Sequence, residues 1–168
     1  MKSVWILITG VLLISTSVFA GVSRVGNSSI GSEEEGFETP VPREYPIIQQ
    51  FSDRVELRSP MNRSISKPTD IYVNTVMQLV PQFKDYTKQQ WQDEIEKFSS
   101  YVDFIETNND CIIAARWVNE KEQVFGLATW GDGRGVIFSS QGSSLTWKTT
   151  EILLSGITLY EGACQWKP

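Results

Sequence analysis

Residues 111–140, CIIAARWVNEKEQVFGLATWGDGRGVIFSS, decide the fold that the sequence predicts. Short polar and glycine-containing segments separate three apolar runs, at 111–118, 122–130 and 135–140. Runs of this length between turn residues are typical of antiparallel strands joined by tight turns. Two further apolar runs, at 145–154 and 157–166, continue the pattern. The sequence therefore predicts a C-terminal antiparallel meander of about four to five strands.

One of these runs is ambiguous. Residues 149–154 could form a strand of the meander or a short helix capped by Thr149, because a threonine hydroxyl can accept from a free amide of the first helical turn. The sequence leaves this choice open.

A helix is predicted immediately before the meander, over residues 86–106. Thr87 and Gln90 have the spacing of a capping box. Apolar residues then recur at steps of four, three, four and three, which places them on one helical face: Trp91, Ile95, Phe98, Val102 and Ile105. Residues 70–80 also fit a helix, with Asp70 as cap, although their many β-branched side chains equally favour a strand.

These elements predict an α+β fold, in which one or two N-terminal helices pack on a C-terminal antiparallel sheet. The predicted organisation is a leader at 1–20, a disordered tail at 21–43 and one globular domain at 44–168. The tail is predicted because 21–43 is rich in glycine, serine and acidic residues and poor in large apolar ones.

Residues 1–20 resemble a secretory signal peptide. Lys2 precedes an apolar run from Val4 to Ile14, and small residues follow. Val18 and Ala20 suit signal peptidase, so cleavage is expected between Ala20 and Gly21. The apolar run is shorter than the about 20 residues that span a bilayer. The sequence therefore predicts a secreted or periplasmic protein with no transmembrane segment in the mature chain.

Cys111 and Cys164 are the two cysteines of the chain. Exported proteins meet oxidising conditions, in which an even number of cysteines favours a bridge. A Cys111–Cys164 disulfide is therefore predicted.

The composition excludes several kinds of chemistry. The chain has no histidine, which excludes Ser-His-Asp and Cys-His nucleophiles and the usual zinc sites. Its net charge is −5, so a nucleic acid is a poor partner. No cofactor, metal site or catalytic residue is predicted.

A candidate ligand surface lies around the sequence Trp130-Gly131-Asp132-Gly133-Arg134-Gly135. The glycines allow close approach of the backbone to a ligand, and Asp132 and Arg134 could orient its polar groups. Exposed tryptophans can stack on sugars or anchor protein partners. Trp130 and Trp166 are the tryptophans predicted to have the best chance of exposure. A plain hairpin turn also explains the glycines and is the favoured interpretation, because hairpin turns use glycine and aspartate for their geometry alone.

Three functions remain open at this level. The first is a small exported binding or inhibitory module without catalysis, whose partner would be a polysaccharide or an envelope protein. The second is a polysaccharide hydrolase that uses a pair of carboxylates, since that chemistry needs no histidine. The third is a structural component of the envelope, held by its acidic tail or by a sheet edge.

Overall fold

The computed structural model describes residues 21–51, 54–60, 71–76, 83–140 and 145–167. In these ranges the chain forms eleven strands and two helices. The strands are β1 (Ser23–Val25), β2 (Ser29–Ser32), β3 (Phe37–Pro40), β4 (Ile47–Gln50), β5 (Val55–Arg58), β6 (Ile71–Thr75), β7 (Val102–Ile105), β8 (Ile113–Val118), β9 (Val124–Gly131), β10 (Arg134–Ser140) and β11 (Thr158–Leu159). The helices are α1 (Lys88–Ile95) and α2 (Trp147–Ser155).

Seven strands form the larger sheet, in the order β4-β5-β6-β10-β9-β8-β7, and all neighbouring pairs are antiparallel. The runs of residues 111–140 form its strands β8, β9 and β10. The turn from β9 to β10 has two central residues, Asp132 and Gly133, with φ of 53° and 69°. Positive φ at both positions is the geometry of a type I′ hairpin, whose twist matches that of the flanking strands.

The predicted α+β fold is wrong, because the structure is mainly β and has two antiparallel sheets. The predicted helix over 86–106 shows why. Its capping box between Thr87 and Gln90 is present, but α1 ends at Ile95. Residues from Val102 then form β7 and pair with β8. The apolar spacing suits a helix, yet pairing with β8 satisfies the backbone of these residues in a strand, which spacing along one segment does not reveal.

The structure decides between helix and strand in two other segments for which the sequence offered both. Residues 71–75, in the segment predicted as a helix, form β6, as their β-branched side chains favour. Residues 77–80 of that segment lie outside the described residues. The run 145–154 contains α2, and Thr146 rather than Thr149 caps it by accepting from the amide of Thr149.

Residues 21–43 contain strands β1, β2 and β3 instead of the predicted disordered tail. These strands and β11 form a smaller sheet in the order β1-β2-β3-β11. Ile30 and Phe37 are fully buried in the core. Burial of these few apolar side chains against the larger sheet helps to offset the ordering entropy of the segment. The composition of the segment by itself does not show this contact.

The two faces of the larger sheet are both covered. One face packs against the smaller sheet and α2, and its core includes Phe37, Trp130, Phe138 and Leu153. Thr39 of β3 donates a 2.8 Å hydrogen bond to the carbonyl of Leu153, which joins the smaller sheet to α2. The opposite face packs against α1, with side chains that include Trp91, Ile95, Ile113, Trp117 and Leu127.

The predicted disulfide is confirmed: Cys111 and Cys164 are bridged, with their Cα atoms 6.0 Å apart. The bridge ties the segment before β8 to the C-terminal segment. The amide of Gln165 donates to the carbonyl of Trp130 over 2.9 Å, next to the bridge. The C-terminal segment is therefore fixed along the end of the sheet that carries the β9–β10 hairpin.

No helix in the described ranges is long and apolar enough to cross a membrane. The predicted leader, residues 1–20, lies outside the described residues, as does the Ala20 side of the predicted cleavage point.

Candidate functional site

The side chains of Trp130 and Trp166 both make contacts within the protein. The ring of Trp130 is fully buried and packs against Phe37, with ring centroids 5.2 Å apart. Trp166 is half-buried and donates its indole N–H to the carbonyl of Cys111 over 2.6 Å. Neither ring offers the open stacking platform that a sugar-binding surface needs.

Asp132 and Arg134 line a cleft at the tip of the β9–β10 hairpin, together with Glu34, Glu35 and Lys84. We call this feature the hairpin cleft. It encloses about 190 Å³. Its walls come from three separate parts of the chain: the turn between β2 and β3, the segment before α1, and the β9–β10 turn. The structure thus brings the two predicted polar residues together with three that sequence reasoning did not select.

Glu35 is the centre of the hairpin cleft. It lies in the turn between β2 and β3, where its own amide donates to the hydroxyl of Ser32 and the next amide, of Gly36, donates to the carbonyl of Ser32. Gly36 has a φ of 75°, which glycine adopts without strain. This turn directs the Glu35 carboxylate to the larger sheet, where the amide of Gly135 donates to it over 3.1 Å.

The environment of the Glu35 carboxyl disfavours its charged form. The residue is only 4% exposed. Burial raises the pKa of its carboxyl from 4.5 to about 7, and the negative charges of Glu34 and Asp132 act in the same direction. The Gly135 amide and the positive charge of Arg134 oppose that rise. Both protonation states of Glu35 are therefore populated near neutral pH.

The charged side chains of the cleft do not form ion pairs with one another among the described residues. Among the described residues, no ion pair joins Lys84 or Arg134 to Glu34, Glu35 or Asp132. Gly135 donates to one carboxylate oxygen of Glu35, and the described chain supplies no donor to the other. The cleft therefore gathers charges of both signs with unused hydrogen-bonding capacity.

The C-terminal segment supports the hairpin that carries Asp132 and Arg134. Gly131 has a φ of 98°, and a Cβ at this position would lie 2.3 Å from the carbonyl carbon of Gln165. Only glycine lets the two segments approach this closely. The glycines of the Trp130-to-Gly135 sequence thus serve hairpin geometry and backbone packing, as the plain-turn interpretation expects.

Sequence reasoning missed Glu35 because it belongs to the run Glu33-Glu34-Glu35, which is typical of a solvated segment. Nothing in the composition of the run separates Glu35 from its neighbours. The glycine at position 36 is a local turn signal, but the burial of Glu35 depends on residues about one hundred positions later in the chain.

Two polar features lie outside the hairpin cleft: the buried Arg116 and a groove at the opposite end of the larger sheet. Arg116 is buried and is fully engaged by Asp103, Glu151 and the ring of Trp147, so it holds α2 against β7 and β8. A larger groove of about 630 Å³ lies at the opposite end of the sheet, between residues 97–100 and 118–121. Its Lys97 is paired with Glu94 at the surface.

Within the described ranges, no group of three or more histidine, cysteine, aspartate or glutamate side chains could hold a metal ion.

No protein family model, curated protein or solved structure matches this chain. The class that the fold and the cleft define is a mainly β protein with two antiparallel sheets, whose candidate site lies where two hairpins meet.

Proposed function

We propose that this protein is an exported, non-catalytic binding module and that the hairpin cleft is its ligand-binding site. The observation that carries the proposal is that the buried carboxyl of Glu35 shares a cleft with four other charged side chains, and that no ion pair joins any of the five among the described residues. Burial of the Glu35 carboxyl and repulsion by Glu34 and Asp132 disfavour its charged form, and a bound cationic group can offset this cost. Positions that reduce stability in this way are typical of functional sites.

The size of the cleft supports binding of one polar group of a larger partner. Its volume of about 190 Å³ is below the about 300–1,000 Å³ of typical small-molecule pockets. A single terminal or side group of an envelope polymer or peptide fits this volume better than a chain of sugars. An envelope polysaccharide or protein, the partner expected from the sequence, could bind by inserting one such group into the cleft.

Sedimentation of the purified protein with insoluble envelope polymers tests the proposal. Wild-type protein should sediment with at least one polymer, and D132N and R134Q should lose that binding while remaining folded. Asparagine suits position 132 because it tolerates the positive φ found there. The matched controls E120Q and K121Q change the same charges in the β8–β9 turn, at the far end of the sheet, and should bind normally. Equal binding by all four variants would remove the cleft as the binding site.

A second candidate function, carboxylate-based hydrolysis, is favoured by one observation. Glu35, with its pKa raised to about 7, shares a cleft with Asp132. Glycosidases use a pair of carboxyl groups, one of which acts as a general acid and has a raised pKa. If this function is correct, E35Q and D132N each abolish cleavage of a glycan while E35Q still binds it. Failure of the wild-type protein to cleave a broad glycan panel would reject this second function.

A further inference from the structure

We infer that the hairpin cleft recognises a zwitterionic group, in which an ammonium and a carboxylate are presented together, as in a free amino acid or a short peptide. This inference rests on the proposed binding function and adds the class of ligand to it.

The first support is the pairing of charge signs on the walls. Arg134 and Lys84 supply cationic donors, and a guanidinium can hold a carboxylate by two parallel hydrogen bonds. Asp132 and Glu34 supply carboxylate acceptors for an ammonium. A ligand with one sign of charge meets attraction and repulsion in the same cleft, whereas a zwitterion matches both halves.

The second support is the unused capacity of these groups. Because no ion pair joins the five side chains among the described residues, a ligand displaces no internal pair when it binds. Binding therefore does not first have to break an ion pair within the cleft, which lowers its cost.

The third support is the Glu35 carboxyl. It is nine-tenths buried, one oxygen accepts from Gly135, and the described residues offer no donor to the other oxygen. The second oxygen is not enclosed by the described residues, so it is open to accept a hydrogen bond from a ligand ammonium. In its ionised form, the same oxygen repels a ligand carboxylate, which favours the orientation with the ammonium towards Glu35.

The test is a titration of purified, ¹⁵N-labelled protein with glycine, β-alanine and glycylglycine, followed by the amide signals of Gly133 and Gly135. Methylamine and acetate, at matched ionic strength, supply each charge alone. We expect at least one zwitterion to bind about tenfold more tightly than either single-charge compound, which corresponds to about 1.4 kcal/mol. The three compounds differ in the distance between ammonium and carboxylate, so tighter binding of glycine or of glycylglycine shows whether the ligand is a free amino acid or a peptide.

Variants assign the two halves of the ligand. R134Q should weaken the zwitterion to about the affinity of methylamine, and D132N to about that of acetate, each about a tenfold loss. The controls K121Q and E120Q should bind glycine, β-alanine and glycylglycine as wild type does. Saturation by methylamine or acetate as tight as by the best zwitterion, or no shift at Gly133 and Gly135 with any compound, would overturn the inference.

Failure of this inference is distinguishable from failure of the binding function. If the zwitterions leave the amides unchanged but D132N still abolishes sedimentation with a polymer, the cleft is the site and its ligand class is wrong. If D132N and R134Q leave sedimentation unchanged as well, the cleft itself is not the binding site.

Discussion

The indole N–H of Trp130 donates to the main-chain carbonyl of Glu35 over 2.8 Å. A residue of the larger sheet thereby holds the turn of the smaller sheet that carries the acid of the hairpin cleft. Both partners are buried. The bond fixes where the Glu35 backbone lies, and the Gly135 amide then fixes its carboxylate.

The first prediction concerns this hydrogen bond. W130F keeps an aromatic ring beside Phe37 but leaves the Glu35 carbonyl without its donor. It should lower the free energy of unfolding by about 1–3 kcal/mol more than W91F does, because an unsatisfied buried acceptor adds that penalty. Trp91 is a matched control, since its ring is equally buried and its indole N–H has no partner among the described residues. Urea denaturation measures both variants. Equal losses would show that the bond contributes nothing.

The second prediction concerns pH. The pKa of Glu35 is raised from 4.5 to about 7 in the folded protein, so the folded state binds the proton more tightly than the unfolded state. Its contribution to the free energy of unfolding is therefore largest below about pH 4.5 and falls by about 3 kcal/mol as the pH rises to about 7.

The Glu35 carboxyl faces Glu34 on its own turn and Asp132, Arg134 and the Gly135 amide on the β9–β10 hairpin. E35Q keeps the size of the side chain and removes this titration. Urea denaturation between pH 4 and 8 should show E35Q becoming more stable relative to wild type as the pH rises. A constant difference across that range would contradict the assigned pKa.

The third prediction concerns Arg116. Its guanidinium donates to Asp103 over 2.8 Å and to the Trp147 carbonyl over 2.6 Å, and it lies 4.2 Å from the centroid of the Trp147 ring. R116M should destabilise the protein by about 2 kcal/mol, since charge-assisted hydrogen bonds and a cation–π contact are lost.

The matched control for Arg116 is K97M, which breaks the surface pair between Lys97 and Glu94. Lys97 is exposed, so its loss should change stability by less than about 1 kcal/mol. Thermal and urea unfolding rank the two variants. If K97M costs as much as R116M, the buried network does not have the role assigned to it.

The fourth prediction concerns the disulfide. The Cys111–Cys164 bridge closes a sequence separation of 53 residues. In the loop-entropy model, its removal in the C111S/C164S variant costs about 4 kcal/mol. Hydrogen exchange should also accelerate at the Gln165 amide, because the C-terminal segment loses its tether beside the hairpin. Unchanged exchange at Gln165 would show that the backbone contacts alone hold this segment.

Local signals predicted some of these features well. The turn residues between the apolar runs of 111–140 predicted hairpins, because glycine and aspartate allow the positive φ that tight turns need. Thr87 and Gln90 predicted a helix start that is present. The cysteine count predicted the bridge. Each of these depends on residues adjacent in sequence or on chemistry that needs no knowledge of packing.

Features that depend on distant partners were not predicted. The apolar spacing of β7 fits both a helix and a strand, and only pairing with β8 decides between them. The polar composition of 21–43 predicts a disordered tail, whereas in the structure this segment buries Ile30 and Phe37 in the core. Asp132 and Arg134, two residues of the ligand surface predicted from sequence, line the hairpin cleft, whereas nothing in the acidic run distinguishes Glu35 from its neighbours.

The sequence by itself determined the turns, the first helix cap, the disulfide and the absence of histidine chemistry, because these follow from residue identity and short-range geometry. The tertiary structure decided which polar residues are buried and which meet in one cleft. The pKa of Glu35 illustrates the reason: it is raised by burial, which is produced by segments of the chain far apart in sequence.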